Sequence, residues 1–272
     1  SHCDLACRVA AAGKPCLVEK PMATTYGDCE RMLQAFEAAA VPLWVAYYRR
    51  ALPRFLLIRD LLRGGTIGRV TSVTIDVREP LTTGPAARAW RFTRAVAGAG
   101  LFFDKGSHCV DLLDFLVGPV QDADGIALNS GGTYEVEDVT VAMFRMEGDI
   151  LGTGSWNFNA GETADTFLLT TERGTIRTSL FTDADVVVKE GLNERIHPFR
   201  NPPHVHQPLI QTIVDELHGR GRCESTGVTG ARASRVLDLC LRRESQLPAT
   251  SPSSPFPRSS ESMSCRRSTR RT

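Results

Sequence analysis

The stretch Ala12-Gly13-Lys14-Pro15-Cys16-Leu17-Val18-Glu19-Lys20-Pro21 constrains this chain more than any other. The apolar run Cys16, Leu17, Val18 reads as a buried strand, and it ends in two charges and a proline. In open α/β sheets ligands gather outside the carboxyl ends of strands, and Glu19 and Lys20 stand at such an end. Two charges closing a buried strand are costly unless they are paired or used. Pro21 fixes its own backbone and biases Lys20 away from helical geometry, which holds the lysine at the rim. A surface ion pair and a ligand contact both satisfy this pattern.

The flanking sequence supplies a rhythm. A helix over 4–12 stops at Gly13, and Thr25 with Asp28 three residues on resembles a capping box opening a second helix. Leu33, Phe36 and Ala40 form its expected apolar stripe, and a strand over 43–47 follows. Helix, strand, helix, strand is the order of a parallel sheet with crossovers. No G-x-G-x-x-G follows a predicted strand. Gly64-Gly65-Thr66-Ile67-Gly68 comes after a helix over 53–63 and reads as a helix stop, not as a phosphate-binding turn.

Beyond Tyr48 the character changes. Residues 70–78 alternate as a strand with one solvated face. Residues 79–100 form a long irregular stretch carrying Trp90-Arg91-Phe92, and loops of that length are usually functional or disordered. A helix over 104–117 then places Asp104, His108 and Asp111 on one face, with Leu112, Leu113, Leu116 and Val117 toward a core. Strands are expected over 137–146, 150–159, 166–171, 174–180 and 186–190, as an antiparallel sheet. The proline-broken stretch 198–208 carries His204 and His206. After it comes an amphipathic helix over 209–217 with the stripe Leu209, Ile210, Ile213, Val214 and Leu217, and then a last helix over 231–241. Residues 242–272 are Ser, Pro and Arg with few apolar side chains. They read as a disordered end in preference to a nucleic-acid-binding tail.

Composition narrows the function classes. A formal net charge of +1 over 272 residues gives no electrostatic case for nucleic acid or a membrane surface. No run is apolar enough to span a bilayer. The 8 cysteines are scattered without a C-x-x-C pair, although Cys3 and Cys7 share a helical face. They read as small core residues of a reducing, cytoplasmic compartment. His197, His204 and His206 with Cys223 fit no ligand spacing, so no metal is expected.

Several motifs together resemble one family. They are Ala12-Gly13-Lys14 through Glu19-Lys20-Pro21, Tyr47-Tyr48-Arg49-Arg50 with Pro53, Trp90-Arg91, and Asp104-x-Gly106-x-His108-x-x-Asp111. Tyr134-x-Val136-Glu137-Asp138, Gly154-Ser155-Trp156, His206-Gln207-Pro208-Leu209-Ile210 and Ser225-Thr226-Gly227 agree, as does Arg235-Val236-Leu237-Asp238. Over residues 1–241 the chain resembles the Gfo/Idh/MocA family, the glucose–fructose oxidoreductase- and inositol dehydrogenase-like NAD(P)-dependent oxidoreductases.

The resemblance implies an α/β fold in which the remnant of a Rossmann-type parallel sheet precedes an α+β domain with a large, mostly antiparallel sheet. Residues 1–46 are the later part of the Rossmann domain, 47–241 the substrate and dimerisation domain, and 242–272 the tail. The family's glycine-rich first half, with the residues that choose between NAD and NADP, is expected ahead of Ser1. Its absence predicts an open strand edge.

The implied catalytic residues are Lys20, Asp104 and His108. Lys20 contacts nicotinamide and substrate, His108 acts as acid/base, and Asp104 assists by fixing the His108 tautomer. The implied cofactor contacts, to NAD or NADP, are Glu19, Lys20, Tyr48, Trp90 and Arg91, with His2 nearby. Trp90 and Arg91 equally suit a packed loop anchor, and Asp111 suits a structural role.

The activity implied is hydride transfer between a nicotinamide cofactor and a secondary alcohol or ketone of a sugar, cyclitol or related polyol, in a homo-oligomer formed through the antiparallel sheet. The alternative is a truncated, non-catalytic protein that binds a sugar-like ligand or a partner through that sheet.

Overall fold

A computed structural model of the chain describes residues 2–241. The tail read from the sequence at 242–272 lies outside the described residues. Helix α1 (His2–Ala11), strand β1 (Cys16–Val18), helix α2 (Tyr26–Ala38) and strand β2 (Leu43–Val45) follow the expected order. The two strands are parallel, with Cys16 opposite Leu43 and Val18 opposite Val45. Thr25 caps α2 by accepting the Asp28 N–H at 3.1 Å. The Asp28 carboxylate turns to Arg31, so the cap is one-sided rather than a reciprocal box.

Two details depart from the pattern. The buried stripe of α2 is Cys29, Met32 and Phe36. Ala40 is exposed, because the helix has already ended and Ala40 takes a left-handed φ of 52°. Strand β1 is only half sealed: Val18 is buried and Leu17 exposed. Among the described residues β1 pairs with β2 alone, so its other edge is open.

The far side of β2 is covered by residues 225–241. Trp44 forms an antiparallel bridge with Thr226. The Ser225 hydroxyl donates to the Val45 carbonyl at 2.7 Å. Helix α7 (Gly227–Leu241) then crosses the strand. A Cβ on Gly230 would lie 2.5 Å from a Val45 methyl, and one on Gly227 2.8 Å from Leu43. These glycines permit the close approach. They also dilute the helical signal, so the helix begins four residues before the expected 231.

A tight turn, Tyr48–Ala51, leads into α3 (Pro53–Arg63), which stops at Gly64 as its glycine cluster predicts. The second half is an eight-stranded sheet. Its strands are β3 (Val70–Arg78), β4 (Val120–Leu128), β5 (Val139–Met146), β6 (Ile150–Asn157), β7 (Ala164–Thr171), β8 (Thr175–Thr178), β9 (Val186–Glu190) and β10 (Asn193–His197). The order is β10-β9-β8-β7-β3-β6-β5-β4. Only the β3–β6 pair is parallel, so the sheet is mostly antiparallel as expected.

Two strands had no individual sequence signal. In β4, Asp122, Asp124 and Gly125 interrupt the apolar alternation, and β10 is an exposed edge with no buried residue. Gly125 is where α7 touches the sheet: a Cβ there would lie 2.7 Å from the Cys240 carbonyl oxygen.

The inner face of the sheet packs on helix α5 (Ser107–Leu116) through Trp156. The indole is fully buried and donates to the Cys109 sulfur at 3.4 Å. It also meets Phe102 edge-on, with ring centroids 4.7 Å apart. Helix α6 (Gln207–Leu217) lies on the Tyr48–Ala51 turn. It buries Leu209 and Ile213 but leaves Ile210 and Leu217 of the expected stripe exposed. The described cysteines carry free thiols, and no described helix is long and apolar enough to cross a membrane.

Candidate active site

The D-x-G-x-H-x-x-D stretch does not form one continuous α-helix. Phe102–Gly106 is a π-helical turn, and the α-helix starts at Ser107. Gly106 is required because a Cβ there would lie 2.5 Å from the Phe102 ring. The entry is pinned from outside: the Gly100 N–H donates to a Glu137 carboxylate oxygen at 2.6 Å. A π turn carries more residues per revolution than an α turn, so it rotates Asp104 out of the row expected from i, i+4 spacing. The three polar groups therefore go three ways.

Asp104 faces the end of β1. Lys20 Nζ forms an ion pair with the Asp104 carboxylate and also donates to its carbonyl at 3.3 Å. The partner of Lys20 is thus Asp104 and not Glu19, whose carboxylate accepts the Lys20 backbone N–H at 3.3 Å. The pair stands on the wall of a cavity of about 560 Å³, also lined by Glu19, Trp90, Arg91 and Phe103. His2 lies at its edge, its Nδ1 3.1 Å from the Pro21 carbonyl oxygen. Trp90 is 64% exposed, so it is not the anchor of its loop. Phe92 is the anchor, buried and stacked on Tyr134 at 4.4 Å. Arg91 holds its guanidinium 5.9 Å from the Trp90 ring.

His108 lies deeper. It is boxed by Tyr48 at 5.4 Å, Tyr47 at 5.8 Å and Phe181 at 6.4 Å between ring centroids. Its Nδ1 is buried without a hydrogen-bond partner. It makes no hydrogen bond to Asp104, so the expected fixing of its tautomer by Asp104 is corrected: the π turn commits that carboxylate to Lys20. Burial first, then the charges of Arg49, Lys20 and His206, hold the imidazole well below the ordinary histidine range, which leaves it neutral.

Asp111 turns inward. Its carboxylate oxygens accept from Arg50 Nε at 2.9 and 3.0 Å. Asp114 joins through Arg50 Nη2 at 2.9 Å and Arg232 Nε at 2.6 Å. The cluster ties the Tyr48–Ala51 turn to α5 and α7. Burial pushes the Asp111 carboxyl up to about 6 against the pull of Arg50.

Tyr48 closes one side of the His108 box and stacks on His206 at 4.5 Å. Arg49 sits between the Tyr48 and Phe181 rings, 4.7 Å from each centroid, and donates to the Leu180 carbonyl at 2.8 Å. Lys105 pairs with Glu79 and lies 5.7 Å from the Phe181 centroid.

The structure brings Lys20, Asp104, Glu19, Trp90 and Arg91 to one cavity, whereas His108 and Tyr48 meet each other outside its lining, with His108 still within the field of Lys20. The sequence offers His206 within a motif of the family resemblance and as a metal ligand that its spacing rejects, without a role at the site, and it gives no role to Phe181 or Lys105. No local pattern marks them, because the neighbours they meet come from distant segments. Among the described residues no three His, Cys, Asp or Glu side chains gather as a metal-ligand set.

Comparison with known proteins places this geometry. Residues 1–47 match the oxidoreductase family with an NAD-binding Rossmann fold, and residues 55–177 match the Gfo/Idh/MocA C-terminal domain. The chain is 34% identical over 246 residues to Oxidoreductase P35 of Formosa agariphila, an alignment spanning 88% of this chain and 74% of that protein. The WlbA dehydrogenase of Bordetella pertussis, solved with NADH and UDP-GlcNAcA, superposes with a TM-score of 0.75 at 27% identity, covering 92% of this chain and 76% of that one. Levoglucosan dehydrogenase in complex with NADH and levoglucosan shares the fold with a TM-score of 0.80 at 20% identity, covering 90% of this chain and 76% of that one. With a lysine closing a strand of the parallel unit and a histidine on the helix that faces it, the chain belongs to the Gfo/Idh/MocA family of NAD-binding oxidoreductases.

Proposed function

We propose that this chain transfers a hydride between a nicotinamide cofactor and the secondary alcohol, or matching ketone, of a sugar, cyclitol or related polyol. The observation that carries the reading is the Lys20–Asp104 pair on the cavity wall, with His108 close enough that the charge of Lys20 helps to keep it neutral.

The residues fit a nicotinamide ring. Lys20 and Glu19 offer polar contacts at a strand end, and the exposed Trp90 with Arg91 bounds the opposite side. When bound, the nicotinamide accepts or donates the hydride. Lys20 Nζ holds the substrate oxygen and stabilises negative charge that develops on it. Asp104 keeps that ammonium aimed. His108, neutral in the resting site, takes the hydroxyl proton during oxidation and returns it during ketone reduction. The buried rings around it keep water from competing for that proton.

Titration of the chain with NADH, followed by NAD+-dependent turnover of levoglucosan and myo-inositol, tests the reading. Saturable cofactor binding and turnover that Lys20→Met abolishes support it. Absence of cofactor binding removes it.

The outer face of the sheet supports a second element of the proposal. On the solvent face of β4, β5 and β6, Ile126 lies directly opposite Val141, with Leu128, Met143 and Leu151 exposed around them. An apolar patch of this kind marks an association surface, and we assign it to a second copy of the chain. The sheet-mediated interaction reading stands alone if the chain self-associates without ever binding cofactor.

A further inference from the structure

His206 immediately precedes α6, and its position is set by that helix. Leu209 and Ile213 of α6 are buried with Trp44 and Cys223. Glu216 fastens the same helix, accepting from the Trp44 indole at 3.1 Å and from the Cys223 N–H at 2.6 Å. The imidazole is fixed by packing as well, nearly parallel to the Tyr48 ring at 29° and 4.5 Å between centroids. The Tyr48 ring also meets His108 in a T-shaped contact, with centroids 5.4 Å apart.

What is left over is the polar chemistry of His206. Its ring nitrogens hydrogen-bond to none of the described residues, and the side chain is half-buried. His2 and His218, by contrast, each place a ring nitrogen on a backbone carbonyl, at 3.1 and 2.7 Å. A neutral imidazole carries one donor and one acceptor. Here both are held rigidly one ring away from the acid/base candidate. Ligand sites are built from such walls, mostly apolar and aromatic with a few fixed polar groups that set orientation. A hydroxyl-rich ring offers the complementary groups.

We infer that His206 is a substrate-binding residue, its ring held flat on Tyr48 so that its nitrogens bond a hydroxyl of the polyol whose carbinol reacts between Lys20 and His108. The inference rests on the proposed function and adds a specificity contact that the catalytic motifs do not contain.

The test uses the full chain saturated with NADH, into which levoglucosan and myo-inositol are titrated by calorimetry. His206→Phe keeps a ring against Tyr48 and removes both nitrogens; His206→Asn keeps a donor and an acceptor. The expected result is a polyol Kd weakened about 10-fold or more in His206→Phe, because a missing hydrogen-bond partner is costly to a polar ligand. In His206→Asn the loss stays within about threefold, and the NADH Kd stays within about twofold in both variants. Wild-type polyol affinity in His206→Phe overturns the inference. So does a wild-type chain that binds NADH but neither polyol. Failure of the proposed function reads differently, as absence of NADH binding in wild type and variants alike, and it takes the inference with it.

Discussion

Helix α5 and the π turn before it carry charged groups at both ends, and the two ends are used in opposite ways. At the N-terminal end Lys20 meets Asp104 on a cavity wall, with the two side chains 19% and 36% exposed. Toward the C-terminal end Arg50, Asp111 and Asp114 are sealed, and Arg232 completes the cluster. Every oxygen of the sealed carboxylates is occupied. At the open end one ammonium remains within reach of a ligand, and His108 behind it has an unused buried nitrogen. Charges that hold a fold are saturated by protein, whereas charges that serve chemistry are left incompletely satisfied.

The largest expected effect comes from the sealed end. Arg50→Met leaves buried Asp111 without its ion-pair partner and Asp114 with Arg232 alone. Removing one partner of a buried ion pair costs about 3–5 kcal/mol, measurable as a lowered urea midpoint at neutral pH. A loss below about 1 kcal/mol, the range of exposed pairs, erases the contrast. Next comes the open end. Lys20→Met is expected to reduce kcat/KM by about 100- to 1000-fold, the effect of removing one oxyanion-stabilising donor. Its urea midpoint should stay near wild type. If both variants unfold alike, the division between structural and chemical charge fails.

The third prediction sharpens the comparison through pH. His108 is held below its ordinary value, so the unfolded chain binds its proton first and stability is lost as pH falls below about 6.5. His108→Gln removes that loss and flattens the acid side of the stability profile. Asp111 has the opposite sign. Its carboxyl titrates at about 6 in the fold against an ordinary 3.8, so the folded chain binds the proton first between those values. Its contribution to stability therefore increases as pH falls through that window, and Asp111→Asn removes the increase. Denaturant titrations of both variants between pH 4 and 7 should show differences from wild type that slope in opposite directions. Parallel slopes would break the assignment.

The smallest effect on stability is expected on the outer sheet face. Met143 is 60% exposed, so Met143→Lys should change folding free energy by no more than about 0.5 kcal/mol. It should nonetheless convert any dimer seen by light scattering to monomer. A dimer that survives it lies elsewhere.

Much of this was legible in residue order. The strand ending at Glu19-Lys20, the α3 helix over 53–63 with its glycine stop, and strand β3 over 70–78 each announce themselves by a local device. Elements whose local signal conflicts with a tertiary demand were blurred. The α7 glycines weaken a helix so that it can lie on Val45 and Leu43. The π turn places a glycine where Phe102 needs room, and that local change redirects Asp104. His206 falls in a motif of the family resemblance, yet nothing local shows what it meets, since the ring it stacks on, Tyr48, lies far away in sequence.

By itself the sequence determined the kind of groups available. It carries a lysine held at a strand end by a proline, a histidine and acids on a helix facing an apolar core, and motifs that together resemble one family. Those properties are local because backbone preference and hydrophobic period act over a few residues. Only the tertiary structure decided which acid serves which cation. Asp104 and Asp111 differ little as a helical pattern, yet one meets Lys20 across a cavity and the other Arg50 in a sealed core. The physical reason is that burial and partner geometry, not residue type, determine whether a charge is saturated or left available.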